Sequence, residues 1–117
     1  MTNRRALILD LSSEHEPKVR TLAFDLDGTL CTLTNGAYEL AEPFSDRIAL
    51  VNKLSEEGNK IIVFTARGVT SNRDLREFTL QQLTAWGLHF DDLIMGKPHF
   101  DLLIDDKATS DKEFFKE

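Results

Sequence analysis

The chain has 117 residues, the length of one compact domain, and a 41% hydrophobic content with eight Phe supplies apolar area for a single core. Fourteen Lys and Arg against 20 Asp and Glu leave a net charge of −6, which repels a polyphosphate backbone and makes nucleic acid a poor default partner. The only cysteine, Cys31, excludes an intrachain disulfide and a cysteine-based metal cage, and suits a reducing compartment.

The first residues are basic, but the apolar run from Ala6 to Leu9 ends at Asp10, far short of a secretory core segment. Nowhere do about 20 apolar residues run together, so no membrane partner is expected and a cytoplasmic location is. Residues 4–11 (RRALILDL) read as a short strand and 12–18 as a polar turn, which makes 1–20 a lead-in to a domain over 21–117. Residues 21–26 (TLAFDL) form an apolar run of strand length that ends in Asp and Gly. The stretch 30–43 mixes Thr and Leu around Asn35-Gly36, a hairpin dipeptide, and predicts a small β-flap.

Between Pro43 and Glu57, Phe44, Ile48, Val51 and Leu54 recur at helical spacing, with Pro near the start and Gly58 after the end. Residues 60–64 (KIIVF) predict a second buried strand closed by Thr65. A second helix follows, with Leu75, Phe78, Leu83 and Trp86 on one side and Gly87 as the stop. Residues 92–95 and 101–104 predict two more short strands. Strands alternating with helices imply βαβ units, hence an α/β fold with a mostly parallel sheet covered by helices.

Ligands of such sheets sit outside the carboxyl ends of the strands. That edge collects Asp25, Asp27, Thr65, Asp105 and Asp106, with Lys97 a few residues past the third strand. Residues i and i+2 at a strand end point to one side, so Asp25 and Asp27 share a small volume, and two such anions call for a cation. Asp105 and Asp106 add two carboxylates, which favours an oxygen-seeking divalent ion such as Mg²⁺. Carboxylates, an ammonium and a hydroxyl suit a phosphoryl group: Lys97 and Thr65 hold its oxygens while a carboxylate attacks in line. Gly28 lets backbone N–H groups of the Asp27–Thr29 loop approach the phosphate. Each of these residues alone reads as a turn or a cap. An EF-hand reading of 25–36 fails because Leu30 and Gly36 stand where Gly and Glu are needed. His89 and His99 read as loop residues, and Cys31 as a buried filler.

Taken in order, FDLDGTL at 24–30, VFTAR at 63–67, GKP at 96–98 and LLIDDKA at 102–108 resemble the four motifs of the haloacid dehalogenase (HAD) superfamily. The resemblance implies a Rossmann-like core in which Asp25 is the nucleophile that forms an aspartyl-phosphate, and Asp27 protonates the leaving oxygen and then activates water. It implies phosphoryl contacts from Thr65 and Lys97, and substrate contacts from Gly28, Thr29, Ala66 and Arg67. Mg²⁺ would be held by Asp25, Asp27 through its backbone carbonyl, and Asp106 in preference to Asp105, which would stand behind the ligands or pair with Lys97. The gaps 30–63 and 67–96 are filled by one helix each plus a flap or strand, so the chain looks like a capless member. An open site of that kind accepts a large substrate or borrows a lid from a second copy, which makes a homo-oligomer an expectation. The stretch NGAYELAEP, the TAR loop and the GKP to IDDKA ending are most similar to small capsular-polysaccharide biosynthesis phosphatases.

The expected function is a Mg²⁺-dependent phosphomonoesterase acting on a small phosphorylated metabolite such as a sugar or polyol phosphate. A nucleic-acid 3′-phosphatase or a phosphotransferase is the alternative on the same intermediate. A receiver-like signalling domain is the alternative of another class, but receivers place their paired acids first and their phosphorylated Asp in mid-chain, unlike this chain.

Overall fold

The computed structural model describes residues 19–116, so the strand expected over 4–11 and the turn after it lie outside the described residues. Three parallel strands, β1 (Thr21–Asp25), β2 (Lys60–Thr65) and β3 (Asp92–Met95), form one sheet in the order β1-β2-β3. Helix α1 (Ser45–Glu56) joins β1 to β2, helix α2 (Arg76–Ala85) joins β2 to β3, and α3 (Asp111–Phe115) follows the sheet. The result is the α/β, Rossmann-like arrangement expected, a parallel sheet flanked by helices, and the described residues include no inserted cap. No helix among them is long and apolar enough to cross a membrane.

Register fixes the core. Phe24 pairs with Val63 and Val63 with Leu93, so three buried side chains lie in one row across the sheet. Alternation along β2 buries Ile61, Val63 and Thr65, and Val51 of α1 and Leu83 of α2 are fully buried in the same cluster. The amide of Ile61 donates to the Asp91 carboxylate and the Asp91 amide to the Ile61 carbonyl, each at 2.8 Å, which seats the entrance to β3. Asn52 of α1 donates to the Gly87 carbonyl at 2.9 Å and accepts from the His89 amide at 2.7 Å, tying α1 to the end of α2.

Four elements differ from expectation. The stretch 30–43 makes a turn at Asn35-Gly36, a 3-10 helix over Tyr38–Leu40 and a single antiparallel bridge from Cys31 to Pro43, without a paired two-stranded flap. Residues 101–104 form no strand: Leu102, Leu103 and Ile104 are exposed and no ladder accepts them. On α2 the fully buried place next to Leu83 belongs to Thr79, while Phe78 is half-buried. The short α3, absent from the sequence reading, starts at Ser110, whose Oγ accepts from the Glu113 amide at 3.1 Å. It packs Phe114 and Phe115 on Phe24, with ring centroids 5.6 and 6.1 Å away.

Candidate active site

Parallel pairing puts the carboxyl ends of the strands on one edge, with Asp25 opposite Phe64 and Thr65 opposite Met95. The ladder runs one step beyond β3, because the Lys97 amide donates to the Thr65 carbonyl at 3.0 Å. Lys97 is thereby held against β2, and its Nζ reaches Asp25 Oδ1 at 2.9 Å, with the rings of Phe64 and Phe100 at 5.7 and 5.2 Å. The other oxygen of Asp25 accepts from Thr29 Oγ1 at 3.1 Å. Asp25 is therefore a partly open carboxylate at a strand end, flanked by an ammonium and a hydroxyl.

The loop that carries Thr29 is a tight turn. Gly28 sits at φ +89°, its amide donates to the Cys31 carbonyl at 2.8 Å, and the amides of Thr29 and Leu30 both return to the Leu26 carbonyl. Behind the loop, Arg47 of α1 donates to the Thr29 carbonyl at 3.0 Å and to Asp111 of α3 at 2.8 Å. Its guanidinium lies 4.7 Å from the Phe115 ring and 5.3 Å from the Phe44 ring. That hydrogen bond holds the Asp111 carboxyl below the usual carboxylate range.

Asp27 has a different set of partners. Its two oxygens accept from Arg67 Nε and Nη2, both at 2.9 Å, a fork-on-fork pair. Arg67 Nη1 donates to Gln82 Oε1 at 2.7 Å and to Thr79 Oγ1 at 3.3 Å, and its guanidinium stacks 4.6 Å from the Tyr38 ring. The Cys31 thiol also faces Asp27, with Sγ 3.4 Å from Oδ1, and burial with the neighbouring carboxylate pushes it up to about 12. Thr65 is buried and its Oγ1 accepts from the Arg67 amide at 3.1 Å, while Ala66 is half-buried beside it.

The structure brings together Asp25, Lys97 and Thr29, with Asp27 and Gly28 in the loop after β1, Thr65 at the end of β2 and Ala66 just beyond it. It does not bring Asp105 and Asp106 to them. Both lie on the exposed segment, Asp105 accepting from the Lys107 amide at 3.0 Å, which holds its carboxyl low, and Asp106 pairing with Lys107 Nζ at 3.4 Å. No group of three or more His, Cys, Asp or Glu among the described residues is placed to hold a metal ion, so this arrangement does not fit a three-carboxylate magnesium site. Arg67, read from sequence as a substrate contact, has a fully buried side chain committed to Asp27. Sequence reading missed Tyr38, Thr79, Gln82 and Arg47; the signal for two of them was a polar pair, Thr79 and Gln82, at i,i+3 beside the buried Leu83.

The fold and the site edge together define a parallel α/β protein with a charged cluster beyond its strand ends. The chain is similar to an MCSG target from Vibrio cholerae, at 26% identity and a TM-score of 0.76, over 85% of this chain and 89% of that one. It is also similar in fold to a chain of the Pnkp1/Rnl/Hen1 complex, at 21% identity and a TM-score of 0.56, over 84% of this chain and 34% of that one. A chain of the Pnkp1/Rnl/Hen1 RNA repair complex matches likewise at 21% identity and a TM-score of 0.53, over 87% of this chain and 30% of that one. No protein-family model and no curated protein matches the chain.

Proposed function

We propose that the chain is a HAD-type phosphatase that hydrolyses phosphate monoesters of small metabolites, such as sugar or polyol phosphates, through an aspartyl-phosphate. The observation that carries this reading is Asp25 at the end of β1, partly open and held between Lys97 Nζ and Thr29 Oγ1, two residues before Asp27. An Asp25 oxygen attacks phosphorus, the bond from phosphorus to the ester oxygen breaks, and the leaving oxygen takes a proton from Asp27, which enters the step protonated on a lone pair that Arg67 leaves free. Water then attacks the acyl phosphate, Asp27 takes its proton, and inorganic phosphate leaves with Asp25 restored. Lys97, already beside Asp25, offsets the charge of the phosphoryl oxygens, whereas the amides of Gly28, Thr29 and Leu30 stay bonded within their own turn. Mg²⁺ dependence is carried in the proposal by the sequence resemblance alone, because Asp25 and Asp27 are paired here with Lys97 and Arg67 and no third carboxylate among the described residues joins them, and no step above is routed through the ion. Cytoplasmic residence and assembly with a second copy belong to the same reading.

A nucleic-acid 3′-phosphatase is the second reading, favoured by the likeness in fold to chains of an RNA repair complex and opposed by the net charge of −6. The test is phosphate release from sugar, polyol and nucleotide phosphates and a 3′-phosphorylated oligonucleotide, with Mg²⁺ and with EDTA. Release from a small-metabolite class, lowered at least roughly 10³-fold in Asp25→Asn while the fold persists, supports the proposal. Release from the oligonucleotide alone transfers the assignment to the second reading. A lasting phosphoenzyme without product alcohol, or Asp25→Asn turning over normally, overturns both.

A further inference from the structure

We infer that Arg67 is a positioning residue for Asp27, held in place by Gln82 and Tyr38, and does not contact the substrate; this rests on the phosphatase reading above. A substrate ligand needs free donors facing the site. Arg67 has none to spare: Nε is used on one Asp27 oxygen, Nη2 on the other and on Cys31 Sγ, Nη1 on Gln82 and Thr79, and its side chain is fully buried.

The geometry is that of a clamp with its own backing. A bidentate pair fixes the plane of the Asp27 carboxylate as well as its position, which a single ammonium does not. Gln82 in turn is oriented from its other end, where Nε2 donates to the Tyr38 carbonyl at 2.9 Å while Oε1 accepts from Arg67. The Tyr38 ring covers the guanidinium face. The segment after the Asp25 loop and helix α2 therefore meet on one side chain, and a carboxylate that would otherwise swing on a loop is set by two elements of the scaffold. Correct placement of a proton-transferring group within an ångström is worth on the order of 10²-fold in rate.

The experiment pairs steady-state kinetics of Arg67→Lys and Gln82→Ala with proton-detected ¹⁵N spectra of the arginine Nε–H groups. Arg67→Lys keeps the charge and loses the fork, so kcat falls about 10²-fold while KM stays within about twofold. Gln82→Ala leaves the Asp27 pair intact and loosens only its backing, so kcat falls less, about tenfold, again at constant KM. In the unaltered protein Arg67 gives a slowly exchanging Nε–H resonance that is lost in Asp27→Ala. A KM raised more than tenfold with kcat unchanged makes Arg67 a substrate ligand and overturns the inference, as does an Arg67 Nε–H that exchanges freely with solvent. Should the unaltered protein release no phosphate from any ester, the phosphatase reading fails, and the Nε–H resonance still decides whether the clamp exists.

Discussion

Replacing Arg47 with Met removes one charge and keeps an unbranched stem of similar reach, so it isolates what the guanidinium does. Among its contacts are two hydrogen bonds that Met cannot make and two ring contacts that Met makes only in part. The hydrogen bond to Asp111 Oδ2 at 2.8 Å is worth about 1.5–3 kcal/mol as a bond between charged groups, and the third of Asp111 that stays exposed sets it at the lower end. Loss of the donor to the Thr29 carbonyl costs about 1 kcal/mol, since that loop is half-buried and water recovers part of the bond. Stacking on Phe44 and Phe115 adds about 0.5–1 kcal/mol each, partly retained by the polarizable thioether. The expected loss is about 3 kcal/mol, read as a lower urea midpoint at constant m-value and a Tm lowered by more than about 10 °C. A double-mutant cycle with Asp111→Asn should return a coupling of about 1–2 kcal/mol. A loss below about 1 kcal/mol, or a coupling near zero, refutes the view that this arginine ties the Asp25 loop to α3.

The same pair predicts an acid limb. Because the Arg47 hydrogen bond lowers Asp111 in the folded state, its contribution is complete above the ordinary carboxylate value of 3.8 and is lost as pH falls below it. Urea titrations from pH 5 to pH 2.5 should show a steeper loss in the unaltered protein than in Arg47→Met; parallel curves would exclude the linkage. Cys31, fully buried and pushed up to about 12, should resist iodoacetamide at pH 8 in the native state and react at a rate set by unfolding, and rapid native labelling would contradict its placement. Gly68 sits at φ +83° with the Arg73 carbonyl oxygen where a Cβ would lie, so Gly68→Ala should destabilise by at least about 2 kcal/mol in urea, and a neutral variant would show that the 68–73 turn is not built this way.

The β1-α1-β2-α2-β3 order was legible because each element carries its own period and stop: after Lys60 the run IIVF is apolar throughout as a buried parallel strand is, and α1 and α2 each end at a glycine, Gly58 and Gly87, with positive φ. Residues 101–104 have the same composition, yet strand propensity is a preference for a pleated, half-buried surface, and no neighbouring ladder supplies one. Helix α3 is too short for a period to declare itself, although Ser110 and Glu113 hold the spacing of a capping box ahead of two Phe. In the candidate site, Asp25 and Lys97 were legible from their places at strand ends. The Arg67 clamp was not, because its partners Tyr38 and Gln82 are ordinary residues in sequence and become a pair only when α2 docks beside the segment after the Asp25 loop. The grouping of four carboxylates was inferred from a fourth strand end, and without that strand Asp105 and Asp106 stay with Lys107.

The bond from the Lys97 amide to the Thr65 carbonyl gives the lysine an address counted from the ladder and not from a flexible loop. Sheet side chains alternate at every step, so the distance along the chain from Met95, through Gly96 at φ +87°, determines which way Lys97 turns. Graft or loop redesign in this region has to conserve that count as strictly as the lysine itself. A shift of one residue would leave every residue type in place and still separate the ammonium from Asp25.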